Sequence, residues 1–311
     1  MDVGAALIDG RPFPMGTMAG PERPTTLARL EVGPVEYRLE QRADPTVVVL
    51  HGGHQRAGLA LGEGVFADAG YTVLAPSRPG YGRTPVSTGT SVAGFADVTR
   101  ALCAHLGIAR VAAVVGTSGG GPTAVAMAAR HPDLVQRLIL QCGVGPLPWP
   151  DRRARLGARV MFAGGSEQVT WWAVRTLLRL APETGLRLWL GQLSTLPARD
   201  VMAALRPEDR VTLRALFDQM RSGRGFRNDL RPTPDVTADV TQPTLVIGTR
   251  HDGGVPFAHA QALAANIRHA ELVESHADSH LIWLGPDWPA IAATIRAFLT
   301  TDPIPAPGRA P

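Results

Sequence analysis

Apolar residues in this chain gather into short unbroken runs, separated by stretches with helical spacing. Residues 46–50, Thr-Val-Val-Val-Leu, form one such run, as a strand buried on both faces should. Residues 71–75 and 111–115 are read as strands too, and so is 135–141. Between the runs lie helix signals at 59–69 (closed by Gly70), 91–106 (capped by Ser91, ended by Gly107) and 122–130. Residues 27–40 predict two strands joined at Gly33-Pro34. From about Gly145 to Thr233 the alternation stops, and the chain reads as helices rich in Trp, Leu and Arg. It resumes with a strand at 244–248, a helix at 257–268, a strand at 270–274 and a helix at 288–299. This alternation predicts an α/β fold: a mostly parallel sheet with helices on both faces. The expected organisation is a core of 27–145 and 236–300, a helical cap of 146–235, and irregular tails at 1–26 and 301–311.

Composition narrows the function. The chain has 311 residues, 45% of them hydrophobic, enough for a substantial core without disulfides or metal. No apolar run reaches the ~18 residues of a membrane span, and no signal-peptide pattern opens the chain. Cys103 and Cys142 read as free thiols in a reducing cytoplasm, the expected location. All 31 basic residues are Arg, and the net charge is a modest +4. With no nucleic-acid-binding motif, the expected partner is a small molecule, with neither nucleic acid nor membrane. Arg is concentrated in 146–235, with 15 Arg against 9 acidic residues, whereas the rest has 16 against 18. Four of the six Trp lie there too: Trp149, Trp171, Trp172 and Trp189. One reading is an amphipathic insert with solvated Arg. The sharper one is a lid favouring an apolar substrate that carries negative charge. Trp171 and Trp172 are the expected substrate contacts on it.

The most informative stretch is Gly116-Thr-Ser-Gly-Gly120, between a β-branched run and an Ala-rich helix. A G-x-S-x-G on a sharp strand-to-helix turn lifts its serine above the sheet edge in a strained conformation. Gly116 and Gly120 are small because the backbone passes close to itself there. Ser118 is the expected nucleophile.

A serine hydroxyl needs a base, and the base needs a group to fix its tautomer. Catalytic groups lie at the carboxyl ends of parallel strands. His280, in the loop after 270–274, is the expected base, with His276 a rival read as solvated. Asp252, after 244–248, is the expected acid. Asp278 is too near His280 in the chain, and Asp239 lies at the wrong strand end. Oxyanion donors are expected at Gly119 N–H and, from His51-Gly-Gly-His54, at Gly53 N–H. His54 is the alternative donor and a candidate substrate contact. No metal-binding run such as HExxH is present, so no metal or other cofactor is expected.

Together these residues resemble the α/β-hydrolase superfamily across nearly the whole chain outside the insert and tails. His51-Gly-Gly resembles the family's oxyanion loop, and 77–84 the loop after its fourth strand. Gly116–Gly120 matches the nucleophile elbow, 248–256 the acid loop, and His280 the histidine loop. The order Ser118, Asp252, His280 is the family's order. The resemblance implies a serine hydrolase working through an acyl-enzyme, with the insert as a cap. A serine at 118 disfavours the Asp-nucleophile chemistry of epoxide hydrolases and haloalkane dehalogenases. A carboxylic ester is the favoured substrate. A prolyl-aminopeptidase-like or C–C bond hydrolase is the alternative, and a lyase or binding protein on the same fold is the alternative of another class. Asp252 is followed by Gly-Gly, which leads to the expectation of a more mobile acid loop.

Overall fold

The structure is a computed structural model and describes residues 7–8, 11–12 and 22–300. The tails expected at 1–26 and 301–311 lie outside the described residues, apart from 22–26 and a short antiparallel pair. That pair is β1 (Leu7–Ile8) and β2 (Arg11–Pro12).

Eight strands form the main sheet: β3 (Thr26–Leu30), β4 (Gly33–Glu40), β5 (Ala43–Leu50), β6 (Tyr71–Pro76), β7 (Val111–Thr117), β8 (Leu138–Gln141), β9 (Thr244–Thr249) and β10 (Ala270–Ser275). Their spatial order is β10-β9-β8-β7-β5-β6-β4-β3. The pairings from β6 through β10 are parallel; β4 pairs antiparallel with both β3 and β6. After β5 the chain adds β6 on one side and β7 on the other. The carboxyl ends of β5 and β7 therefore flank a topological switch point, where α/β sheets open a crevice.

Alternate residues of the strands feed two cores. Val47, Val49, Val73, Val115, Ile139 and Ile247 point to one face. Val48, Leu50, Leu74, Val114, Leu140 and Val246 point to the other. The second face is covered by α2 (Val92–His105), α3 (Gly121–Arg130) and α10 (Ala258–Asn266), the first by α1 (Gly64–Asp68) and α11 (Trp288–Thr300). Ser91 caps α2 by accepting from Gly94 N–H at 3.0 Å.

Two elements are shorter than the sequence predicts. The helix expected at 59–69 is only Gly64–Asp68, because Gly62 adopts a left-handed φ of 70° and a side chain there would meet the Trp283 indole. The strand expected at 135–141 begins at Leu138; Val135 makes only an isolated bridge to Val111.

Between β8 and β9 lie α4 (Arg152–Met161), α5 (Gly164–Leu180), α6 (Pro182–Leu193), α7 (Ala198–Ala204), α8 (Pro207–Gln219) and α9 (Gly225–Asp229). Trp171, Leu190, Leu213 and Phe217 pack them around a buried apolar centre continuous with the first core face. No helix among the described residues is long and apolar enough to cross a membrane.

Candidate active site

The turn after β7 is built by close approach. A Cβ at Gly116 would lie 2.6 Å from that of Ala124 on α3, and one at Gly120 would lie 2.1 Å from the Leu50 carbonyl oxygen. Glycine at both positions lets β7 pass into a short 3-10 turn, Ser118–Gly120, and then into α3. Ser118 itself has φ of 51°, a left-handed conformation that costs a non-glycine residue about 1–3 kcal/mol. Its carbonyl accepts from Val144 N–H at 2.9 Å, which ties the strained residue to the segment after β8.

The loop after β5 lies against this turn. A Cβ at Gly52 would be 3.2 Å from that of Ser118, and one at Gly119 would be 3.6 Å from Gly53 N. The Gly53 and Gly119 positions are thus neighbours beside the serine. Arg78 fixes the peptide that carries Gly53 N–H. Its backbone N–H donates to His51 Nε2 at 3.0 Å, which leaves the proton of that ring on Nδ1. His51 Nδ1 then donates to the Gly52 carbonyl at 2.7 Å, and Arg78 Nη2 donates to the same oxygen at 3.2 Å. In a trans peptide the N–H points opposite to the C=O. With the Gly52 carbonyl held from one side, Gly53 N–H faces the other. Burial and the charge of Arg78 hold the His51 ring well below the usual histidine range, so it stays neutral.

Arg78 is itself buried, and Asp229 at the end of α9 neutralises it with two bonds of 2.6 and 2.8 Å. Tyr81 O–H adds a third bond to Asp229 at 2.6 Å. The inserted helices are locked here onto the loop that presents Gly53.

On the other side, Asp252 and His280 meet through His280 Nδ1 and Asp252 Oδ2 at 2.7 Å, both buried. Gly254 and Val255 N–H groups donate to Asp252 Oδ1 at 2.8 and 2.7 Å. The expected slackness of Gly253-Gly254 is replaced by close approach. A Cβ at Gly253 would lie 2.7 Å from Ser194 N, and one at Gly254 would lie 3.3 Å from the His280 ring. The carbonyl of Leu193, at the end of α6, accepts from both Gly253 N–H (3.2 Å) and His280 N–H (2.7 Å). His276 is exposed.

Cys142, directly after β8, reads in the sequence only as a free thiol. It takes a left-handed φ of 48° and its thiol donates to Asp252. Burial, and then the neighbouring carboxylate, push that thiol well above its usual range, so it serves as a donor. Cys142, Asp252 and His280 place possible metal-ligand atoms within 4.8 Å of one another. These atoms already satisfy each other by hydrogen bonds, and a protonated thiol is a poor ligand.

The expected substrate contacts fare differently. The His54 side chain is enclosed rather than turned to the serine. Its ring packs among Phe226, Phe162 and Trp171, with Nδ1 at 2.7 Å from Ser222 Oγ. Burial, reinforced by Arg78, lowers its pKa to about 3. Trp171 is fully buried, stacked on Trp189, and donates to Ser222 Oγ at 2.8 Å. Trp172 is 63% exposed, since adjacent residues on a helix point about 100° apart. Neither Trp lines the pocket that meets the turn at Gly119, and neither Ser118 nor His280 lines it. That pocket, of about 320 Å³, runs from Gly119 past Val144 and Trp149 to Arg155, Asp229 and Arg231.

Sequence and structure comparisons place these features in a family. The α/β-hydrolase-fold profile matches residues 45–286. An uncharacterized hydrolase of Bacillus subtilis (strain 168), YcgS, is 32% identical over 273 residues, covering 86% of this chain and 95% of that protein. A 2-hydroxy-6-oxononadienedioate/2-hydroxy-6-oxononatrienedioate hydrolase of a Pseudomonas species is 33% identical over 105 residues, 32% of this chain and 37% of its own. Among solved structures, an alpha/beta hydrolase fold protein from Nakamurella multipartita superposes with a TM-score of 0.75 at 25% identity, covering 89% of this chain and 99% of that one. The chain belongs to the α/β-hydrolase fold family, and it is a hydrolase.

Proposed function

We propose that the protein is a serine hydrolase that cleaves a carboxylic ester, or a related acyl bond, through an acyl-enzyme. The observation that carries this reading is the strained Ser118 turn standing with a buried Asp252–His280 pair at the carboxyl ends of neighbouring strands. Asp252 accepts the Nδ1 proton of His280, so Nε2 is the nitrogen left to take the Ser118 proton. Ser118 Oγ attacks the acyl carbon, and the Gly53 and Gly119 N–H groups receive the oxyanion. Protonated His280 then gives its proton to the leaving group and later draws one from water, which releases the acid and restores Ser118. The helices of 146–235 act as a cap. Leu193 and Asp229 carry its influence to the acid loop and to the oxyanion loop.

The serine at 118 supports acyl transfer over chemistry that needs a carboxylate nucleophile. Lactone, thioester, amide and activated C–C substrates share the same steps, and only a substrate series separates them. The test is hydrolysis of p-nitrophenyl esters of increasing acyl length by wild type and Ser118→Ala. The expected loss is about 10⁴-fold or more in kcat, with an unchanged unfolding transition. Full activity in the variant overturns the mechanism. Absence of ester turnover by the folded wild type moves the reading to a peptidase or C–C hydrolase.

A further inference from the structure

The pocket next to Gly119 carries more charge than apolar acyl binding requires. About half of its wall is apolar, from Pro122, Val144, Leu147, Pro148, Trp149 and Pro232. Two guanidinium groups, Arg155 and Arg231, lie on the same wall system. Arg155 Nη2 donates to the Trp149 carbonyl at 2.6 Å, while its Nε is buried without a partner. Arg231 follows α9, with its backbone N–H bonded to the Asn228 carbonyl at 3.1 Å and its side chain exposed. Among the described residues neither guanidinium forms an ion pair. The pocket's carboxylate, Asp229, does not offset them: both its oxygens are bonded to Arg78, and one also to Tyr81.

We infer that this pocket binds an anionic group of the substrate, a carboxylate held by Arg155 and Arg231. The substrate class is then an ester with a second, free carboxylate separated from the reacting carbonyl by an apolar spacer. The inference rests on the acyl-transfer reading and deepens it. Two guanidinium groups without an ion-pair partner on one pocket wall favour an anion between them. A carboxylate binds them in charge-assisted form, and the planar guanidinium matches its geometry. A neutral analogue makes no such charge-assisted contact, so the pocket discriminates against it. Trp149 fixes the wall. Its carbonyl holds Arg155, and its Nε1–H donates to the Gly254 carbonyl at 2.8 Å, in the loop that carries Asp252. The anion site and the catalytic acid are thereby set on one frame.

The experiment compares charged and neutral esters in the same protein. Monoethyl adipate is set against ethyl hexanoate, which places the carboxylate on the acyl side. Acetoxybenzoate with a para carboxylate is set against phenyl acetate, which places it on the leaving side. Wild type should favour the anionic member of at least one pair by about tenfold or more in kcat/KM, chiefly through KM, as one charge-assisted hydrogen bond allows. In Arg155→Gln/Arg231→Gln that ratio should fall to about one, and Arg155→Lys should recover part of it. Using a ratio within each protein removes the effect of any loss of folded enzyme. A wild-type ratio at or below one in both pairs, or a ratio unchanged in the double variant, overturns the inference while leaving ester hydrolysis intact. If no ester is turned over, the ester reading fails. The anion site is then decided by calorimetric titration with adipate: binding that the double variant loses upholds it, and no binding to wild type ends it.

Discussion

The carboxyl edge of the sheet and the inserted helices are built on opposite terms. At the sheet edge, short loops hold polar groups by dense hydrogen bonding: Asp252 takes two backbone N–H groups, and the Gly52 carbonyl takes side-chain donors from His51 and Arg78. The insert instead leaves large apolar side chains open to solvent, among them Leu156, Val160, Met161, Val169, Trp172 and Leu180. Elsewhere among the described residues only Val32 and Leu272 are comparably open. The difference teaches where sequence change is tolerated. A loop that aims reacting groups depends on each bond, whereas the outer face of a helical insert depends on few. The exceptions are the seams, Leu193 and the Arg78–Asp229 pair, where the insert takes on the demands of the core.

The comparison breaks most readily at the acid. Asp252→Asn removes the carboxylate that accepts from His280 Nδ1 and should lower kcat by about 10⁴-fold. Steady-state kinetics with a loss under tenfold would show that the core loop does not aim the base. At the seam, Asp229→Ala leaves Arg78 buried and unpaired, with an expected destabilisation of about 3–5 kcal/mol in urea unfolding. A change no larger than that of an exposed residue would remove the seam from the argument.

Acid is a gentler probe of the same loop. The native protein holds His51 and His54 neutral, His54 with a pKa of about 3, while the unfolded chain takes up protons near 6.5. The unfolded state therefore binds more protons, and these groups withdraw stability as pH falls from about 6.5 toward 3. Each contributes at most about 1.4 kcal/mol per pH unit. Glu63, raised by burial, acts in the opposite direction. Denaturation midpoints should fall between pH 7.5 and pH 5.5, and a rise would contradict the neutral histidines. The smallest effect belongs to the insert's outer face, where Trp172→Ala should change stability by no more than about 0.5 kcal/mol. A larger loss would mean that this face is covered in the working protein.

Much of this was legible in order and spacing. Ser118, Asp252 and His280 stand just after strands, and strands buried on both faces announce themselves as unbroken β-branched runs. The structure brings Asp252 and His280 together and places Ser118 on a strained turn. Trp171 and Trp172 were not separable by composition, because inward and outward positions on an insert follow from helix rotation and docking. Cys142 and Asp229 gave no signal, since a lone thiol and an ordinary surface-type acid look the same whether or not they are buried.

By itself the sequence determined the alternation of strands and helices, the glycine-permitted turn at Ser118 and the loops that bear Asp252 and His280. These depend on local sterics and on period, which a single chain segment carries within itself. Only the tertiary structure decided which groups share partners. Arg78 is drawn to the Gly52 carbonyl and to Asp229, 151 residues away in the chain. It also packed the His54 ring among Phe162, Trp171 and Phe226 and set Arg155 in the wall of a pocket. Such pairings arise when burial removes water, and each polar group must then find its partner among whatever the fold has brought within reach.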